Sequence, residues 1–143
     1  MENTEKALIY FSDQFNCSQS VFSAYSERFG ISEDDAIRIA TGFGAGFGRE
    51  QEVCGAISGA VMVLGCRYFD ENDVLGSKEI IYNKTKELLA KFKEMNRTIY
   101  CSELTGIDFK KDLNREEFKK QDIHEKVCKK CIVDVCKLLE EMI

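Results

Sequence analysis

Seven cysteines, at positions 17, 54, 66, 101, 128, 131 and 136, are the residues of this chain with the most chemistry to offer. A thiolate is a nucleophile and a soft metal ligand, whereas a protonated, buried thiol packs as a small hydrophobe. An odd number of them does not close into a disulfide framework. The opening residues MENTEKALIYF carry acidic side chains early and no long apolar core, which is not the pattern of a signal peptide. The expectation is a cytoplasmic, reducing setting, where grouped cysteines mean metal or redox chemistry more often than structural crosslinks.

Position sorts the seven. The stretch Gly42–Cys66 reads GFGAGFGREQEVCGAISGAVMVLGC, alternating glycines followed by an apolar run that opens on Cys54. A helix from about Val53 to Tyr68 puts Cys54 in its first turn, where unpaired amides and the helix dipole favour a thiolate. A lowered thiol pKa is expected there. Cys17 follows Asn16, an N-cap with Gln19 three residues on, so it too begins a helix. Cys128 and Cys131 lie about 60° apart around a helix of 3.6 residues per turn and face its inner side together. Cys136, about 80° from Cys128 and further along the axis, reads as filler. Cys101 sits in RTIYCSELTGIDF, the one irregular segment, where a loop site and a half-buried loop cysteine are equally good readings. His124, the only histidine, precedes Cys128 by one turn; it is a candidate ligand, but the spacing suits a solvated residue near a helix start better.

Several chemistries are disfavoured. The glycines at 42, 44, 46 and 48 lack the preceding strand and the Lys-Ser/Thr of a phosphate loop, so they read as a tight turn with Phe43 and Phe47 anchoring it in the core. Cys128-x-x-Cys131 is followed by Ile132 rather than His, so no covalent haem is expected. No second Cys-x-x-Cys signals a zinc ribbon, and no βαβ context supports a thioredoxin-like motif. Adjacent acids such as Asp34-Asp35 and Glu116-Glu117 read as solvated surface, so no general acid/base pair stands out. A formal net charge of −5, with Lys and Arg spread among Glu and Asp, predicts no nucleic-acid partner. The run Val53–Cys66 is shorter than the roughly 20 apolar residues of a membrane span, so no membrane contact is expected.

The elements that must position these thiols are helical. Apolar residues Ala7, Leu8, Phe11 and Phe15 mark one helix over Thr4–Phe15, and Val21, Phe22, Tyr25 and Phe29 mark a second, stopped by Gly30. Ser32 with Asp35 opens a short third helix through Ala40. After the glycine turn and its helix, Phe69–Gly76 reads as a loop and Ser77–Met95 as a long helix with Ile81, Leu88, Leu89 and Phe92 inside. Arg97–Phe109 reads as extended loop with a candidate short strand, Lys110–Gln121 as weakly helical and exposed, and Ile123–Ile143 as a strong closing helix. With no proline and no linker or repeat, residues 1–143 are expected to form one compact all-α domain of about six helices. Its centre would be the buried Gly/Ala-rich helix. Gly55 and Gly59, with Ala56 and Ala60 beside them, leave one face of that helix nearly bare for close approach, more naturally within the chain than in a homodimer.

The order of these features resembles the bacterial C_GCAxxG_C_C family, whose members are described as candidate redox-active proteins. The residues that carry it are Asn16-Cys17, the glycine-rich turn, Cys54-Gly55-Ala56 with Gly59-Ala60, Cys101 before Glu103-Leu104 and Gly106, and Cys128 before Ile132-Val133. The family pattern is written Gly-Cys-Ala where this chain has Cys54-Gly55-Ala56. The resemblance implies four working cysteines, Cys17, Cys54, Cys101 and Cys128, and leaves Cys66, Cys131 and Cys136 outside the pattern. Through a similar domain in a multihaem cytochrome, it also implies iron–sulfur binding. The expected function is a redox protein with these four as metal ligands, holding an iron–sulfur cluster or, alternatively, zinc, for electron transfer or redox sensing with a partner protein. One alternative is a metal-free thiol–disulfide protein with Cys54 and Cys17 as its redox candidates; another is a non-catalytic helical interaction domain.

Overall fold

Caps and glycines cut the proline-free chain where its sequence says they should. The computed structural model describes residues 2–109, 116 and 122–143. Helix α1 spans Asn3–Ser12 and buries Ala7 and Phe11. Helix α2, Cys17–Ser26, begins with a full capping box: the Asn16 side chain accepts from the Gln19 amide, and the Gln19 side chain accepts from the Asn16 amide. Ser32 accepts from the Asp35 amide to open α3, Glu33–Ala40. Helix α4 is Gly55–Tyr68, α5 is Val74–Asn96, α6 is Cys101–Thr105 and α7 is Lys129–Met142. The architecture is all-α and forms a single compact domain, with seven helices and no strand among the described residues.

Helix α2 is the most enclosed element, buried at every position from Ser18 to Ser26. Its apolar stripe accounts for only one side of that burial. The polar side is tied down instead: Ser18 Oγ donates to the Ala40 carbonyl, and Gln19 Nε2 donates to the Ile37 carbonyl and to Thr41 Oγ1. Such satisfied hydroxyls and amides bury at little cost. The glycine helix α4 lies directly against it. A Cβ on Gly59 would stand 2.9 Å from the Ser18 carbonyl oxygen and 3.0 Å from Val21 Cβ, so the bare face serves an intrachain contact. Ile57, Val63 and Leu64 pack the rest of α4 into the core. Helix α7 closes the core with Cys131, Ile132, Val135, Cys136, Leu138, Leu139 and Met142 buried.

Three local readings of the sequence are corrected. The glycine turn is not held by aromatic anchors: Phe47 is 47% exposed, and Phe43 is half-buried and packs on it at a centroid distance of 5.1 Å. What holds it is backbone. Ala45, Gly46, Phe47, Gly48 and Arg49 all have positive φ, a single left-handed turn closed by the Gly48 amide on the Gly44 carbonyl. Left-handed backbone costs roughly 1–2 kcal/mol for each residue that carries a Cβ, so the two glycines reduce a real strain. Second, Arg97–Phe109 is not a plain loop: α6 forms within it, and Val53 and Tyr100 make an isolated antiparallel bridge. Third, α5 starts at Val74 rather than Ser77, because Asp73 accepts from the Gly76 amide as its cap. The reading of Lys110–Gln121 lies outside the described residues, Glu116 aside.

The α2–α4 contact generates a stability prediction. Gly59→Val places two methyl groups against the Ser18 carbonyl and Val21, and overpacking of this kind costs about 1–3 kcal/mol. The urea midpoint of the variant should fall accordingly; an unchanged midpoint would mean that the two helices separate freely.

Candidate functional site

Four elements deliver thiols to one place. Asn16 caps α2 so that Cys17 is its first residue. Cys54 is the N-cap of α4, which starts at Gly55, two residues later than a helix beginning at Val53. Residues 51–54 run alongside 99–102: the Cys54 amide donates to the Ile99 carbonyl, the Cys101 amide to Glu52 and the Ser102 amide to Gln51. That pairing sets Cys101, at the start of α6, beside Cys54. A π-helical turn, His124–Cys128, leads into α7 and presents Cys128, with Cys131 in the first turn of α7 proper. Single π turns inside α-helices recur at functional sites.

Together Cys17, Cys54, Cys101, Cys128 and Cys131 line one cavity of about 330 Å³. Its remaining wall is mainly apolar, with Phe11, Phe15, Leu104, Phe109 and Val127. His124 belongs to this wall rather than to solvent: it is half-buried and stacks on Phe11 with ring centroids 3.8 Å apart and planes 7° apart. Arg49, exposed, is the one residue of fixed charge among the described lining residues. Cys66 and Cys136 are elsewhere; Cys136 is fully buried core, as its angular position indicates, and Cys66 is half-buried late in α4. All seven thiols are free.

The five thiols are not equivalent. Cys17 interacts most strongly with Cys128, and Cys54 with Cys131. Cys54 is held below the usual thiol range, chiefly because Cys131 donates to it, with the Ala56 and Ile57 amides adding to that against the opposing effect of burial. This is the lowered thiol expected at the start of the glycine helix. Cys131, the donor, is raised far above the thiol range by that same bond and then by burial. Cys17 begins a helix as well, yet its thiol is raised, first by its bond to Cys128 and then by burial. Burial likewise pushes Cys101 up to about 12, with the nearby Cys54 and Cys128 adding to it. Cys54 is thus the one thiol of the cavity shifted down, while Cys17, Cys101 and Cys131 are shifted up.

Two residues of the site gave little or no sequence signal. Cys131 lies outside the four-cysteine pattern, although its angle to Cys128 placed it on the inner face of its helix. Gln51, buried with φ 58, follows the glycine turn and looks like any surface glutamine in the sequence. Its Nε2 donates to the Ile107 carbonyl at 2.6 Å and to Thr105 Oγ1 at 3.2 Å, and lies 4.0 Å from Cys101 Sγ. Its Oε1 accepts from the Phe109 amide at 2.8 Å. One side chain thus pins α6 and the segment after it against the cavity.

Among the described residues, no three Cys, His, Asp or Glu side chains are arranged to hold one metal ion. A zinc site needs four donors around a single point, which two separate thiol pairs do not supply. A cluster of several irons takes its thiolates on different irons, and soft sulfur donors spread around a cavity of this size fit that need better.

The fold and cavity define a class: an all-helical protein with a buried multi-thiol pocket. The family model of C_GCAxxG_C_C, described as putative redox-active protein, matches residues 15–142. The chain belongs to this family. No curated protein and no solved structure matches it. No helix among the described residues is long and apolar enough to cross a membrane.

The raised thiols make stability depend on pH in a fixed direction. Cys101 and Cys136 stay protonated in the folded chain up to about 12, whereas unfolded thiols ionise near 8.5. Between those values the native state binds more protons than the unfolded one, so stability falls as pH rises, by about 1.4 kcal/mol per pH unit for each such thiol. The reduced, metal-free protein should have a lower urea midpoint at pH 10 than at pH 8. An equal or higher midpoint would show that these thiols ionise in place.

Proposed function

We propose that the protein carries out its redox role through an iron–sulfur cluster held in the cavity by Cys17, Cys54, Cys101 and Cys128, exchanging electrons with a partner protein. The observation that carries this reading is the convergence itself: five of seven thiols, from elements far apart in the chain, line one cavity while the other two do not. Thiols that serve only as filler have no reason to gather.

The chemistry of the pocket favours a thiolate-bound cation. Four thiolates in an apolar cavity repel one another and are poorly solvated, which is why Cys17 and Cys101 are shifted up in the metal-free chain. Cys17, Cys54, Cys101 and Cys128 would have to give up their protons to hold a cluster, so loading would become more favourable as pH rises towards neutrality. When bound, the cluster supplies reversible one-electron transfer. The chain's own contributions are separable. The Ala56 and Ile57 amides hydrogen-bond Cys54 and stabilise its charge; Gln51 orients Cys101; the Phe11–His124 stack, Leu104 and Phe109 limit water. Hydrogen bonds to ligand sulfur and restricted solvent access are the factors that tune reduction potential.

Anaerobic purification or reconstitution tests the reading. The protein should show visible charge-transfer absorption with iron and acid-labile sulfide bound together, and Cys54→Ala or Cys101→Ala should lower both at least several-fold. Gln51→Leu should retain the cluster but shift its potential. A colourless protein with one zinc per chain, or one with no metal after reconstitution, would overturn the proposal.

A further inference from the structure

Four serines lie in α2, CSQSVFSAYS, which is buried from Ser18 to Ser26. Three of them donate: Ser18 Oγ to the Ala40 carbonyl at 2.6 Å, Ser20 Oγ to the Asn16 carbonyl at 2.7 Å, and Ser26 Oγ to the Ser23 carbonyl at 3.4 Å. Ser23 is 4% exposed, and its Oγ is the buried side-chain oxygen without a hydrogen-bond partner among the described residues. A helical serine can close such a gap on the carbonyl one turn back, as Ser20 does. Ser23 instead lines a groove of about 600 Å³, within the range of small-molecule sites. A buried hydroxyl left unpaired is destabilising, whereas one matched by a bound group is not. The unpartnered hydroxyl and the groove are therefore one feature.

The groove is separate from the thiols, since no cysteine lines it. Asn3, Lys6 and Tyr10, three and four residues apart, make one face of α1 its wall, and Ala24 lies beside Ser23. Its charges are of both signs. Lys6 and Arg28 bring two cations and Asp13, Glu27 and Glu33 three carboxylates, all of them exposed. The Arg28 guanidinium is held over the Tyr25 ring, 5.2 Å from its centroid. Ile9, 52% exposed, and Phe15 add apolar surface. A simple anion would meet three carboxylates, and a simple cation would meet Lys6 and Arg28. A molecule carrying both charges suits the lining, and the surplus carboxylate favours one with an extra positive charge. An aliphatic stem between its charged ends would cover Ile9 and Phe15.

We propose that this groove binds a small zwitterion of the basic amino-acid class. The ligand's carboxylate is drawn to Lys6 and Arg28, its ammonium groups to the acidic side chains, and Ser23 Oγ gains the hydrogen bond that the fold does not supply. The site does not depend on a cluster being held in the thiol cavity.

L-Lysine is the probe, and L-glutamate, with its surplus negative charge, is the control. Amide chemical shifts of the isotope-labelled, reduced full chain are followed as each is added. Lysine should bind saturably and move the resonances of Lys6, Ser23 and Ala24 while those of Cys54 and Cys101 stay in place. Glutamate should bind several-fold more weakly. Ser23→Ala removes the unpartnered hydroxyl, so it should weaken lysine binding several-fold while the ligand-free urea midpoint holds or rises. Lys6→Met, at an exposed position, should weaken binding with helical content unchanged by circular dichroism. A lower ligand-free midpoint for Ser23→Ala would show that a bound water alone satisfies the hydroxyl and would overturn the site. So would glutamate binding equal to that of lysine, the absence of any saturable shift, or lysine binding that neither variant alters.

Discussion

The structure depends on one steric constraint, the closeness with which backbone packs around residues 16–18. Three glycines make it possible. A Cβ on Gly44 would lie 2.2 Å from the Asn16 side-chain amide, one on Gly55 3.3 Å from the Ser18 amide, and one on Gly59 2.9 Å from the Ser18 carbonyl. The N-terminus of α2 is therefore closely enclosed: a side chain at 44 would displace the Asn16 cap, one at 59 would meet the Ser18 carbonyl, and one at 55 would leave little clearance. Because Cys17 begins that helix and Cys54 caps the neighbouring one, removing the clearance would separate the two thiols as directly as it would loosen the core. The glycine-rich pattern is a packing requirement first, and the chemistry follows from it.

The second requirement is that the chain turn back sharply between α3 and α4, which it does through backbone that most residues avoid. The left-handed turn Ala45–Arg49 strains three residues with side chains, and the return is locked by the Gln51 amide on the Ala45 carbonyl and the Glu52 amide on the Gly46 carbonyl. Gly46 cannot be relieved of this role, since a Cβ there would meet the Glu52 nitrogen at 2.5 Å. Strain persists where surrounding structure over-determines it. Here it delivers two things to the cavity: the strand-like segment that pairs Cys54 with Cys101, and the Gln51 side chain that fixes the segment beyond α6.

Much of this was legible in the sequence, for identifiable reasons. The Asn16–Gln19 box and the Ser32 cap are short-range signals that act on neighbouring backbone, and both formed as read. The Gly55/Gly59 face announced close packing, because two bare positions four apart on a helix have few other uses. What escaped was non-local. Burial of α2 on its serine side depends on acceptors at Ile37, Ala40 and Thr41, which no periodicity within α2 encodes. Gln51 matters through groups 50 to 58 residues away. An aromatic at position 47 suggests an anchor, but in the left-handed turn Phe47 stays exposed. Helix α6 was missed because five residues are too few for a 3.6-residue period to appear. All four cysteines of the pattern line the cavity, and so does Cys131, which the pattern leaves out.

Cys54 is the residue on which the cluster and the thiol–disulfide readings of the cavity meet, and this has a thermodynamic consequence. A thiolate bound to iron cannot be joined to another cysteine, and a sulfur joined to another cysteine cannot serve as a ligand. The two states exclude one another through a single atom, so each must weaken the other by the same free energy. Oxidising conditions that favour a disulfide at Cys54 would lower the affinity of the cavity for iron, and bound iron would make that disulfide harder to form.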